Sequence, residues 1–185
     1  IERLSVERDE HSSRLEFMAV RGDVRYDVTI SERDFVGAEH KVEVRDGNTY
    51  VDGGYAIGTG TDGLNPYSEL TKLSVSENGK AVYVPEDLYI DCYNLLVGQG
   101  EGSGFGTVFG LVIRILDDGT LLISAPGSDG TASYLVHWWI GGVRAPDRVV
   151  VTSEKERIDF FDNWRTKIPE RPRTLIAPED KQSPP

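Results

Sequence analysis

The sequence predicts a mainly β domain: an antiparallel β-sandwich or partly open barrel of about ten strands, with one C-terminal helix packed on the sheet and a proline-rich tail. Three observations predict this fold. Apolar and polar residues alternate in segment after segment, short Gly-containing turns separate these segments, and one stretch near the C-terminus has helical spacing instead. The chain lacks the repeated helical stretches that βαβ units would require between strands.

Alternation on both sides of a tight turn predicts five β-hairpins. In the first, Leu15, Phe17 and Ala19 share one face before the turn at 21–23, and alternation resumes from Val24. Four further turns have the same setting, at residues 46–48, 77–79, 117–119 and 141–142. Asn-Gly and Asp-Gly pairs supply the positive φ angles that hairpin turns need, so these turns fix the strand boundaries.

Two predicted strands are apolar on both faces. They lie within Thr107–Leu116 and Leu135–Ile140, and such runs are typical of strands that are covered on both sides. Because Trp138 and Trp139 are adjacent, they must point to opposite faces. The sequence therefore requires a second layer over this part of the sheet.

The segment 153–168 is predicted to be the helix that supplies this layer. Ser153 and Glu156 have the spacing of a capping box, and Pro169 ends the segment. An apolar stripe at helical spacing would face the sheet. Its members are Ile158, Phe161, Trp164 and Ile168.

The predicted organisation is one β domain over residues 1–152, the helix over 153–168 and an extended tail over 169–185. The stretch 58–66 is rich in glycine and could divide the β domain into two subdomains. The tail has the composition of a linker, and it could serve as a docking segment.

Charge excludes several kinds of partner. The net charge is −11, and the whole excess lies in residues 1–152, because 153–168 and 169–185 are each neutral. Such a surface repels nucleic acid and anionic lipid, and it favours cations or basic partners. The apolar runs are about half the length of a membrane-spanning helix, so no membrane span is predicted. A chain that starts at Ile1 and has one cysteine is compatible with export to the periplasm or the cell exterior.

No cofactor and no metal site is predicted. The glycine-rich run at 98–106 lacks the spacing of a phosphate-binding loop and leads into a strand, so it is interpreted as a loop between strands. Zinc needs closely spaced His and Cys, whereas the three histidines are dispersed and Cys92 is alone.

One acidic cluster offers a catalytic hypothesis. Glu86, Asp87 and Asp91 lie close together in the sequence, and glycoside hydrolysis needs two carboxyl groups on either side of a sugar bond. Aromatic side chains that could contact a sugar or another ligand lie near this cluster or on the predicted Trp-containing strand. The candidate ligand-binding residues are Tyr89, Tyr93, His137 and Trp139.

The leading functional hypothesis is a non-enzymatic β domain that binds a protein or carbohydrate ligand or has a structural role. A carboxylate-dependent hydrolase acting in a groove of the sandwich is the first alternative. The second alternative is a barrel that carries a small molecule in an apolar interior.

Overall fold

The computed structural model describes residues 2–8, 10–59, 64–95, 111–128, 133–163 and 168–170. The strands in these ranges are β1 (Glu2–Arg8), β2 (Ser12–Arg21), β3 (Val24–Asp34), β4 (Val42–Arg45), β5 (Asn48–Val51), β6 (Gly54–Tyr55), β7 (Ser68–Glu77), β8 (Lys80–Val82), β9 (Val112–Ile115), β10 (Leu121–Gly127), β11 (Tyr134–Ile140) and β12 (Asp147–Val151). The α-helix is α1 (Glu154–Asn163), and short 3-10 turns cover Gly37–Glu39 and Glu86–Leu88.

The strands form three antiparallel sheets. The first sheet has the order β1-β2-β3-β7-β8, the second β12-β11-β10-β9, and the third β4-β5-β6. All five predicted hairpins are confirmed, since β2–β3, β4–β5, β7–β8, β9–β10 and β11–β12 each pair across their predicted turn. The pair Asn78-Gly79 shows why, because both residues adopt the positive φ angles that a tight turn requires.

The main core lies between the first and second sheets, as in a sandwich. Inward residues alternate along the strands of both sheets and meet in one buried cluster. The first sheet contributes Leu15, Phe17, Tyr26, Val28, Ile30, Leu73 and Val75, and the second contributes Ile113, Leu121, Ile123, Val136, Trp138 and Ile140. This cluster draws on strands from both sides of the glycine-rich stretch at 58–66, of which residues 60–63 lie outside the described ranges.

The outer face of the second sheet is covered by α1, as predicted, but through a different residue. Phe160 is the buried anchor of the helix, and it packs with Val112 and Leu135. Ile158 and Ile168, from the predicted stripe, are about half exposed. The helix as described begins at Glu154, and Phe160 also lies against the His137 ring, with the ring centroids 4.9 Å apart. The side chain of Phe161, residue Trp164, the glycine-rich run 98–106 and the tail beyond Glu170 lie outside what the structure describes, so the predictions made for them stay predictions.

The two adjacent tryptophans point to opposite faces, and both are buried. Trp138 belongs to the main core, and its indole N–H donates to the carbonyl of Leu88 at 2.7 Å. Trp139 lies on the face that carries α1, beside His137. No helix in the described ranges is both long and apolar enough to cross a bilayer.

The central segment, Leu88–Leu95, joins all three sheets. It forms isolated bridges to Ile57 next to the third sheet, to Glu69 in the first and to Gly127 in the second. Its carbonyl at Tyr93 also accepts a hydrogen bond from the hydroxyl of Tyr134 at 2.8 Å. The Tyr134 ring passes directly over Gly127, where an added Cβ would lie 2.1 Å from a ring carbon. Glycine at this position is therefore required by the close approach.

Asn94 holds the central segment in place. Its side-chain oxygen accepts hydrogen bonds from the backbone N–H groups of Tyr67 and Ser68, and its side-chain nitrogen donates to the carbonyl of Gly58. The residue is buried and has a φ of 55°, a conformation in which Asn is more tolerated than most residues. One amide group thus links the chain before β7 to the chain after β6.

We expect Asn94→Ala to lower the free energy of unfolding by about 3 kcal/mol, because it leaves buried backbone groups without partners. Urea unfolding followed by fluorescence measures the change. Asn48→Ala is the matched control, since the Asn48 amide makes one long bond of 3.4 Å at an exposed position. A loss at Asn94 no larger than that at Asn48 would contradict the role assigned to this side chain.

Candidate functional site

A pocket of about 450 Å³ opens where the first sheet, the third sheet and the central segment meet. We call it the acidic pocket, because four carboxylates line it. They are Asp52, Glu69, Glu86 and Asp91. Arg33 and His40 supply the positive charges of the lining. The lining therefore carries a net negative charge even when His40 is protonated.

His40 is fixed between two carboxylates. Its Nδ1 lies 2.8 Å from Oδ2 of Asp52, and its Nε2 lies 2.9 Å from Oε2 of Glu69. The second contact is an ion pair without hydrogen-bond alignment. The ring also stacks on Phe35, with centroids 4.8 Å apart. The hydrogen bond to Asp52 raises the pKa of His40, so the imidazolium form is favoured. An imidazole engaged on both nitrogens cannot serve as a general base without leaving a partner.

Glu69 is the most buried of the four carboxylates, with a side chain that is 8% exposed. Arg33 donates to it from the neighbouring strand, and the same guanidinium reaches Glu39 at 2.6 Å. A buried carboxylate needs such partners, because an unpaired charge at this depth would be strongly unfavourable. Glu69 therefore serves first as the structural centre of the Asp52–His40–Glu69–Arg33 network.

Asp91 is also paired, in this case with Arg148 from β12. The guanidinium contacts both carboxylate oxygens, one of them at 3.0 Å, and it also donates to the Leu88 carbonyl at 3.2 Å. This two-point geometry is the stronger form of ion pair between Arg and a carboxylate. It ties the central segment to the second sheet.

Glu86 differs from the other three lining carboxylates. It lies at the start of the 3-10 turn Glu86–Leu88, it is exposed, and within the part of the chain described it forms no ion pair. Tyr55, at 45% exposure, lines the same pocket, and Tyr50 supports its ring in an edge-on contact at 5.9 Å. Glu86 and Tyr55 are the lining groups best placed to meet a ligand.

The site residues predicted from the sequence lie in three different parts of the structure. Glu86, Asp91, Tyr89 and Tyr93 line the acidic pocket, although both tyrosines are more than nine-tenths buried. Asp87 is exposed on the same 3-10 turn and is not part of the lining. His137 and Trp139 are buried on the face of the second sheet beneath α1, away from this pocket.

His137 has a structural environment. Its Nδ1 lies 2.8 Å from the hydroxyl oxygen of Ser124, its cross-strand neighbour, and both side chains are buried. Burial lowers the pKa of His137 to about 4, so the ring is neutral at neutral pH. The pair satisfies polar groups inside an apolar layer, which is the usual state of buried polar side chains.

Sequence reasoning missed His40, Asp52, Glu69 and Arg33. These residues come from separate strands and turns, and antiparallel pairing of β3 with β7 brings Arg33 opposite Glu69. One signal existed: Glu69 precedes Leu70 at the start of a strand-like stretch, where the alternation of apolar residues is irregular. An acidic residue at such an irregularity is a candidate for a paired, buried position.

A second unusual carboxyl group, Glu32, lies outside the acidic pocket. It follows the core-facing positions Val28 and Ile30 in β3, whereas Arg33 and its partner Glu69 face the other side of the sheet. Burial raises the pKa of Glu32 to about 7, against the hydrogen bond from the Ser68 hydroxyl, which lowers it. The carboxyl group of Glu32 therefore titrates near neutral pH.

Comparison with known proteins gives no match: no family model, curated protein or solved structure is significantly similar to the chain.

We expect the stabilising effect of His40 to depend on pH. Because the folded-state pKa lies above the unfolded value of about 6.5, the contribution is fully present below that value and is lost as pH rises through the folded pKa. The difference in unfolding free energy between the native chain and His40→Gln should therefore shrink between pH 5.5 and pH 9.5. His11→Gln is the control, since the His11 side chain is 74% exposed. A difference that is constant with pH would show that the charge on His40 does not contribute.

For Glu32→Gln, the stability difference from the native chain should grow rather than shrink as pH rises. The pKa of Glu32 rises from 4.5 in the unfolded chain to about 7 in the fold, so ionisation above pH 7 places a charge in a buried site. The variant should match the native chain near pH 4 and exceed its stability near pH 8, by at most about 3 kcal/mol. Denaturant titrations at both pH values measure this. A variant that is less stable at pH 8 would contradict the expected cost of the buried charge.

Proposed function

We propose that this chain is a non-enzymatic binding domain that holds a cationic group of its ligand in the acidic pocket. The observation that carries the proposal is the exposed carboxylate of Glu86, which has no ion pair in the described structure and lines one concave surface together with Tyr55. A carboxylate beside an accessible aromatic ring is a suitable receptor for an ammonium or guanidinium group.

The electrostatics of the pocket favour the same class of ligand. Four carboxylates and two cationic side chains line it, and a concave surface of one sign concentrates the field. The chain as a whole carries a net charge of −11, which adds long-range attraction for a cation.

A carboxylate-dependent hydrolase is the second candidate, because several carboxylates share one pocket. Hydrolysis of a glycosidic bond needs one carboxyl group able to deliver a proton and a second that faces it across the substrate. Here Asp52, Glu69 and Asp91 are engaged by His40, Arg33 and Arg148. Glu32, the carboxyl group whose pKa is raised to about 7, lies outside the acidic pocket. The arrangement supports binding better than proton transfer.

The barrel carrier receives less support than either alternative. Such a protein holds its ligand in an open interior between the strands. Between the first and second sheets the core cluster instead contains large and fully buried side chains, Trp138, Tyr26 and Tyr134 among them.

Binding of small amines tests the proposal. We expect glucosamine, spermidine and a guanidinium compound to bind in isothermal titration calorimetry, more weakly at high salt, and we expect their neutral analogues not to bind. Glu86→Gln should weaken binding about tenfold, since it removes a charge-assisted contact. Asp87→Asn is the matched control, because Asp87 lies on the same 3-10 turn and does not line the pocket.

Two outcomes would contradict the proposal. One is amine binding that Glu86→Gln and Asp87→Asn weaken equally, which would reflect general attraction to an acidic surface. The other is cleavage of a glycan panel that is lost in Glu86→Gln, which would favour the hydrolase.

A further inference from the structure

A second concavity, of about 520 Å³, adjoins the acidic pocket. We call it the hydroxyl pocket, because Ser12, Ser13, Ser31 and Thr71 line it. The two pockets share Arg33 and Thr71 in their linings. They therefore adjoin at these two residues, and we call the two pockets together the groove.

The groove runs over the outer face of the first sheet. Leu15 and Ile30 are core residues, so the preceding and following positions, Arg14 and Ser31, point outward and pair across the strands. The described lining of the hydroxyl pocket holds no apolar side chain, and its charged members are Arg14, Arg33, Glu7 and Glu32, of which Glu32 is buried at the edge of the core. A ligand at this end must be polar, and it need not be charged.

Recognition in this groove has to come from side chains. Strand β3 lies between β2 and β7, so both edges of its backbone are used in sheet hydrogen bonds. An extended peptide gains much of its affinity by adding to an exposed sheet edge, and no such edge faces the middle of the groove. Hydroxyl side chains, which both donate and accept, match a ligand whose own groups are hydroxyls. The Thr71 hydroxyl donates to the carbonyl of Ser31 at 3.2 Å and keeps its oxygen available as an acceptor.

From these features we infer that the ligand is an oligosaccharide of amino sugars, with one ammonium group in the acidic pocket and neutral sugar hydroxyls in the hydroxyl pocket. This inference rests on the proposed function of the acidic pocket and extends it to a second subsite. Tyr55 provides an aromatic surface for one sugar ring at the acidic end. The carboxylate of Glu86 then receives the ammonium group of that ring or of its neighbour.

The test compares glucosamine with its fully deacetylated tetramer by calorimetry. The native chain should bind the tetramer at least about tenfold more tightly than the monomer, because the second subsite adds contacts within the same complex. The double variant Ser13→Ala, Ser31→Ala should lose most of this gain and keep its affinity for the monomer, since both serines line the hydroxyl pocket and neither lines the acidic pocket. Glu86→Gln should weaken the binding of both. Ser74→Ala is the control, since Ser74 lies further along β7 opposite Thr29 and lines neither pocket.

Several results would overturn the inference. Equal affinity for monomer and tetramer, with no effect of the double variant, would remove the second subsite while leaving the proposed function intact. Equal binding of the N-acetylated tetramer would remove the role of the ammonium group, and equal binding of tetralysine would make the ligand a basic peptide. If neither glucosamine nor any other amine binds, the proposed function fails as well. Thermal unfolding of each variant confirms that it is folded before binding is measured.

Discussion

The central segment is the constraint on which the rest of this structure depends. Eight residues, Leu88–Leu95, connect to all three sheets through backbone bridges, the Asn94 side chain and the Tyr134 hydroxyl. Hairpins form from local sequence, but hairpins alone do not determine how sheets are placed relative to each other. Here the apolar core between the first two sheets and the hydrogen bonds of this segment set the placement together, and loss of a buried hydrogen bond is costly because it leaves a polar group without a partner. The central segment also forms one wall of the acidic pocket. It contributes Tyr89, Ile90, Asp91 and Tyr93 to the lining.

The fold class and the hairpins could be predicted because their signals are local. A pair such as Asn78-Gly79 favours one turn conformation by itself, and alternation with a period of two residues indicates which face of a strand is buried. The central segment carries no such signal. Its apolar residues do not indicate which sheets they will join, and the positive φ of Asn94 depends on partners more than twenty residues away. The helix shows a related limit, because Ile158 and Phe160 are both apolar and the sequence does not show which of them meets the second sheet.

The candidate site was predictable only where it is continuous in sequence. Glu86 and Asp91 lie close together in the chain and line one pocket. Arg33, His40, Asp52 and Glu69 are brought together by strand pairing, and the alternation pattern that defines a strand does not say which outward side chains will meet. His137 and Trp139 were predicted to bind a ligand because of their polar and aromatic character. Their strand, however, is covered on both faces. Residue type suggests what a side chain can bind, and only the covering layer decides whether it meets a ligand.

The third sheet lies entirely within the connection between β3 and β7, which are direct neighbours in the first sheet. The third sheet is therefore inserted into the connection between two adjacent strands of the sandwich. Loop insertions cost little closure entropy as they lengthen, so such a unit can change in length and sequence while the sandwich keeps its core. His40, Asp52 and Tyr55 come from this insertion, whereas Glu69 comes from β7 and Glu86 from the 3-10 turn after β8, so the insertion and the rest of the fold build the acidic pocket together. Exchange of residues 36–66 would therefore rebuild one wall of the acidic pocket while Glu69, Glu86 and Asp91 stayed in place.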